Sequence, residues 1–274
     1  MKTKPFTAQF IQSPTAQYEV GERLGQTESF TLYECILEDC KPGILKIARE
    51  KTHNGKLDLE AFVLQTLQDG VERIDPENTF QYDKSFPFLL ESFISKEQGD
   101  RNVLILDLSR VAKSLSDLVP LGHLSAREKI RVDPKTSVWI MGKQLKLLDF
   151  ACNIGVSVQF SGDNVLINRD NHRVVVFDWS NSIVSNMVLE PKRVSEQIAR
   201  AAQLTITALG GDLKTGKLPA DDQYGGSDVY EKLLMKFTKG VESDAGKAHT
   251  QFYTTVLELW PSGFHNFTAY SILP

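Results

Sequence analysis

The sequence has no excess of basic residues. Its 31 Lys and Arg stand against 35 Asp and Glu, a formal net charge of −4. A surface that neutralises many nucleic-acid phosphates needs a basic stripe or a high pI, so nucleic acid is not an expected partner. No run of 18 apolar residues occurs, and neither a membrane-spanning helix nor a membrane partner is expected. The opening stretch MKTKPFTAQFIQSPTAQ lacks the apolar core of a signal peptide. Cysteine is scarce as well. Cys35, Cys40 and Cys152 are an odd, sparse set, too few for a disulfide framework and too isolated for a zinc site. They read as reduced thiols, and a cytoplasmic setting is expected. No internal repeat or low-complexity tract is present.

What is present suits one large domain or two small lobes: 274 residues, 41% of them hydrophobic. Residues 1–17 read as an arm or an extra strand. YEVGERL, FTLYECIL and GILKIA then read as three strands between Gly, Asn, Asp and Pro punctuation. In HNGKLDLEAFVLQTLQDG, Leu57, Ala61, Leu64 and Leu67 recur at helical spacing, with Gly70 as the expected stop. FPFLLESFISK and NVLILDL form a hairpin over the turn QGDR. The next long helix is SVWIMGKQLKLLDFACNIG, about 28 Å in length. NVLIN and RVVVFDW form a short hairpin over RDNH. SEQIARAAQLTITALGG, VYEKLLMKFTKGV and GKAHTQFYTTVLELW read as helices. The strand-rich half precedes the helix-rich half, with the boundary expected near Leu108.

Four polar residues fall at telling places in this order. Lys46 lies in the apolar strand GILKIA, where a cation needs a partner or a ligand unless it points to water from a sheet edge. Glu60, on the following helix, can pair with it. Asn164 opens NVLIN and Asp178 closes VVVFDW. A tight hairpin brings its outer ends together, where an amide and a carboxylate can share a magnesium ion. Read separately, Asn164 is equally a turn residue and Asp178 a loop cap.

Taken together, these four residues resemble the protein kinase family. Lys46 is similar to its phosphate-binding lysine and Glu60 to the helix partner of that lysine. Asn164 is similar to the catalytic-loop asparagine, and Asp178 to the aspartate that opens D-F-G. LILDLS at 104–109 resembles the hinge strand that holds an adenine edge, which points to Asp107 and Leu108. The resemblance covers roughly residues 18–270. It implies an α+β, two-lobed fold: an arm over 1–17, an N-lobe with an antiparallel sheet and one helix over 18–108, and a mainly helical C-lobe over 109–274. It also implies ATP and Mg2+ as cofactors, with a nucleotide and a protein partner or substrate as ligands.

A rival placement reads QLKLLDFA as the strand before D-F-G, which would make Asp133 and Asp149 catalytic. It leaves too few residues between Asp107 and Arg131 for the connecting helices and breaks a well-patterned helix.

The chain also departs from the family pattern. The catalytic aspartate's position, five before the asparagine, holds Gln159, which can orient a hydroxyl but cannot act as a general base. Asp163 is the nearest carboxylate. In LGQTESFTLY the glycine-rich loop keeps Gly25, but Thr27 and Phe30 stand at the second and third glycine positions, where side chains hinder approach to phosphates. D-F-G reads Asp178-Trp179-Ser180. The segment after it is short, with a helix expected near Val194, and no A-P-E closes it. Glu196 stands where that helix usually carries an aspartate. Two functions stay open: an atypical phosphotransferase, and a pseudokinase acting as a regulatory or protein-binding scaffold. An unrelated α+β fold with chance matches is the third reading.

Overall fold

The computed structural model describes residues 10–37, 40–127, 129–186, 188–219, 227–263 and 269–271. These fall into two compact units. The first runs to Asp117 and takes back the five residues Asp178–Ser182; the second holds Leu118–Phe177 and the chain from Ile183 onward.

The first unit is built on an antiparallel sheet of six strands. In chain order they are β1 (Phe10–Gln12), β2 (Gln17–Gln26), β3 (Phe30–Ile36), β4 (Pro42–Ala48), β5 (Phe88–Ser95) and β6 (Arg101–Asp107). Their spatial order is β1-β2-β3-β4-β6-β5. The one long helix, α1 (Asn54–Ile74), follows β4. Residues 1–9 of the expected arm lie outside the described residues, but residues 10–12 do form the extra strand. Ile11 is wholly buried in a cluster with Val20, Cys35, Leu45, Ile47, Val103 and Ile105.

Alternation along β4 explains both faces of the sheet. Leu45 and Ile47 join that cluster, whereas Ile44, Lys46 and Ala48 point to the other side. α1 buries Leu57, Glu60, Val63, Leu64 and Leu67, at the spacing of one helical face. The helix does not stop at Gly70. Gly70 and Val71 are buried within it, and the end comes at Asp75, whose N–H bonds to the Val71 carbonyl at 2.8 Å. An interior glycine costs about 1 kcal/mol against alanine, less than burying the valine side chain returns. Asp75 Oδ2 then accepts from the N–H groups of Phe80 (2.8 Å) and Gln81 (3.0 Å), which fixes the exit.

The second unit is mainly helical. It contains β7 (Leu118–Pro120), α2 (His123–Ala126), β8 (Ile130–Val132), α3 (Pro134–Asn153), β9 (Val165–Asn168), β10 (Arg173–Val176), α4 (Pro191–Ala208), α5 (Ser227–Thr238), α6 (Ala245–Leu259) and β11 (Ala269–Ser271). α3 packs against α4 and α6. Its start is set by Asp133, which caps Thr136 N at 3.0 Å, and by Pro134 in the first turn. Asp133 is therefore a buried helix cap and Asp149 a helix residue, so the rival placement fails on local structure. The short elements β7, α2, β8 and β11 gave no sequence signal. They carry three or four residues each, too few for a period to register. α4 begins at Pro191 rather than near Val194, because proline's fixed φ suits a first helical turn.

The three cysteines are unpaired thiols, as expected. Among the described residues, no helix is long and apolar enough to cross a membrane.

Candidate functional site

Lys46, Glu60 and Asp178 meet inside the first unit. Lys46 Nζ lies 2.5 Å from Glu60 Oε2 and 2.8 Å from Asp178 Oδ1, and the lysine and glutamate side chains are both 0% exposed. The Glu60 contact is an ion pair by distance, outside the directions of a hydrogen bond; the Asp178 contact is a directed hydrogen bond. Glu60 uses its other oxygen as well. Oε1 accepts from the backbone N–H of Trp179 at 3.2 Å. Asp178 Oδ1 also accepts from Ser180 N at 3.0 Å. Trp179 is fully buried, edge-on to Phe86 with ring centroids 6.4 Å apart. These bonds explain why Asp178–Ser182 belongs with the sheet.

The electrostatics follow from burial and pairing. Burial pushes the Glu60 carboxyl up, and the Asp178 charge adds to it. The Lys46 charge and the Trp179 N–H oppose the shift without cancelling it. Burial acts in the same sense on Asp178, but there Lys46 and the Ser180 N–H win, and the carboxyl is held below its ordinary range.

An aromatic ring also lies against Lys46. β3 pairs Leu32 with Lys46 and Phe30 with Ala48, so Phe30 shares the lysine's face. Its ring centroid lies 3.6 Å from Nζ, a cation–π contact. Gly25 is paired with Leu32 in β2, and a Cβ there would meet nothing within 4 Å. The local fold itself does not require that glycine. At the expected hinge, Asp107 Oδ1 accepts from Ser109 N at 2.6 Å. Leu108 N donates to the Pro42 carbonyl at 3.4 Å, and the Leu108 carbonyl accepts from Val111 N (2.9 Å) and Ala112 N (3.0 Å). Its two lone pairs are engaged within the chain. Two carboxylates and a ring thus surround Lys46, and the Leu108 backbone is committed within the chain.

Gln159 and Asn164 sit in the second unit, on the loop leading into β9. Asn164 Nδ2 donates to the Gln159 carbonyl at 2.8 Å, and Phe177 N donates to the Asn164 carbonyl at 3.0 Å, extending the β9–β10 ladder by one pair. The loop is fixed from α4 by Gln197, whose Oε1 accepts from Phe160 N at 2.9 Å. Nothing in the sequence singles out Gln197, whereas the family resemblance points to its neighbour Glu196. Only the helix phase decides that position 197 faces the loop while Glu196 is exposed. A second brace is the Gly122 N–H to Gly162 carbonyl bond at 2.8 Å. A Cβ on either glycine would fall 3.0 Å from the other's Cα, so the two chains cross closely here. Asp163 is 90% exposed and lies 3.3 Å from His123 Nε2.

The fold these elements make is a protein-kinase-like, two-lobed one: a six-stranded antiparallel sheet with a helix, then a helical unit. A crystal structure of the BubR1 kinase domain is similar to it with a TM-score of 0.60, at 12% sequence identity, over 94% of this chain and 85% of that one. At that identity the likeness concerns the fold alone. No protein-family model matches the chain, and no curated protein matches it.

Proposed function

We propose that this chain is a pseudokinase, a kinase-like module that works by binding a protein partner and not by transferring phosphate. Gln159 carries the reading. It stands five positions before Asn164, where the kinase pattern carries its catalytic aspartate, and its carbonyl accepts from the Asn164 amide at 2.8 Å. A carboxamide takes no proton from an acceptor hydroxyl at neutral pH. Asp163, the nearest carboxylate, is solvated and beside His123, and so does not restore a poised base.

The competing reading is an atypical phosphotransferase that uses ATP and Mg2+. It draws support from the formed Lys46–Glu60 pair and the ionised Asp178. Incubation with γ-labelled ATP and Mg2+, with the chain itself and a generic acceptor protein present, separates the two. The pseudokinase reading expects no label above a Lys46→Met control. Label transfer that disappears in Asp178→Ala would establish the phosphotransferase instead.

A further inference from the structure

We propose that Phe30 is a built-in occupant of the space a nucleotide phosphate would need at Lys46, and that the turn before it is tied down to keep it there. The inference deepens the pseudokinase reading and rests on it for its biological sense; its geometry stands on the first unit alone. Phe30 is 4% exposed although it begins a strand at the rim of the sheet. Its ring lies against Nζ at 3.6 Å, in addition to the Glu60 and Asp178 carboxylates. A phosphate oxygen reaching Nζ would have to displace the ring, a carboxylate or both. Glycine at this position would leave that side open.

The turn that carries Phe30 is bonded at each of its residues. Thr27 N donates to the Phe30 carbonyl at 2.9 Å, and Thr27 Oγ1 accepts from Ser29 N and Phe30 N, both at 3.2 Å. The end of β4 holds it through Arg49. Its N–H reaches the Ser29 carbonyl at 2.9 Å, and its Nη1 reaches the Thr27 and Glu28 carbonyls at 3.3 and 3.5 Å. From α1, Lys56 Nζ donates to Ser29 Oγ at 2.8 Å. A loop meant to open and close over a ligand is drawn from the weakly tethered parts of a fold. This one is tethered from two elements, and its polar side chains serve the closed form.

The test reads Lys46 directly. The intact chain is exposed to a small amine-acylating reagent, and modification is followed site by site by mass spectrometry. Lys247, with a side chain 76% exposed, is the internal reference. Lys46 should react at least about tenfold more slowly than Lys247, as a group reached only by local opening does. Phe30→Gly should remove most of that protection and should give a thermal shift with millimolar ATP that the natural chain lacks. Lys56→Ala, at an exposed position and so safe for folding, should accelerate Lys46 acylation severalfold by loosening the turn. Lys46 reacting like Lys247 in the natural chain, or unchanged protection in both variants, overturns the proposal. An ATP shift in the natural chain without label transfer sinks the seal and leaves the pseudokinase standing. Label transfer by the natural chain sinks both the pseudokinase and the seal.

Discussion

Glu60 Oε1 accepts the backbone N–H of Trp179 at 3.2 Å, joining α1 to a segment 119 positions away. The same carboxylate holds Lys46 with its other oxygen. One wholly buried glutamate therefore positions a lysine from the sheet and the Asp178-Trp179-Ser180 stretch together, and most of the site's stability should depend on it.

Lys46→Met leaves Glu60 as a buried charge facing Asp178 with no cation between them. A loss of about 3–5 kcal/mol is expected, as for other broken buried pairs. Glu60→Gln added to Lys46→Met should recover part of that loss, since it removes the stranded charge while an oxygen stays for Trp179 N. Urea unfolding of Lys46→Met, Glu60→Gln and the double variant checks it; a double variant as unstable as the sum of the singles would refute the coupling.

Acid and base limbs of stability should carry opposite slopes from the two carboxylates. Asp178 is depressed in the folded chain, so its contribution is present above the unfolded value of about 3.9 and is lost as pH falls through the folded one. Glu60 is raised, so the folded chain holds its proton more tightly. Stability from this group is present below about 4.3 and is lost as pH climbs through the folded value. Asp178→Asn should flatten the acid limb and Glu60→Gln the decline above it. Denaturation across a pH series, with identical curves for Glu60→Gln and the natural chain above that point, would count against the assignment.

Gln197→Ala removes the acceptor for the N–H of Phe160, a residue only 5% exposed. The expected cost is about 1–3 kcal/mol, with faster hydrogen exchange at the Phe160 amide. Gln197→Glu keeps an acceptor oxygen and should preserve the protection; equal exchange in both variants would show that the bond does not hold the loop.

Tyr230 Oη and Ser137 Oγ lie 2.7 Å apart, tying α5 to α3, while Ser137 Oγ also donates to the Pro134 carbonyl at 2.6 Å. Burial pushes the phenol well above its ordinary range, so it stays protonated through any usable pH. Tyr230→Phe should cost about 1 kcal/mol, read as a lowered Tm, with no new pH dependence. A pH-dependent difference from the natural chain would refute the buried, neutral phenol.

The long elements were legible because their signals are local. β3, β4 and the helices from α1 to α6, apart from four-residue α2, carry a period that survives in the sequence. The hairpin β9–β10 is marked by two apolar runs and a polar turn. Lys46, Glu60 and Asp178 could be picked out by residue type and order. Gly70 misled because a glycine reads as a stop wherever it stands, and only the buried face of α1 reveals that the helix continues.

The sequence by itself determined which segments become strands and helices, that Gln159 stands five positions before Asn164, and that a lone lysine in an apolar strand must find an anion. Tertiary structure alone decided that this lysine takes two carboxylates and a ring at once, that Gln197 and not Glu196 braces the loop, and that Asp178–Ser182 packs with the sheet. The physical reason is range. Periodicity and capping act over a few residues, whereas the Lys46 cluster is made of groups from four separate segments, and each one's orientation is fixed only when the others are in place.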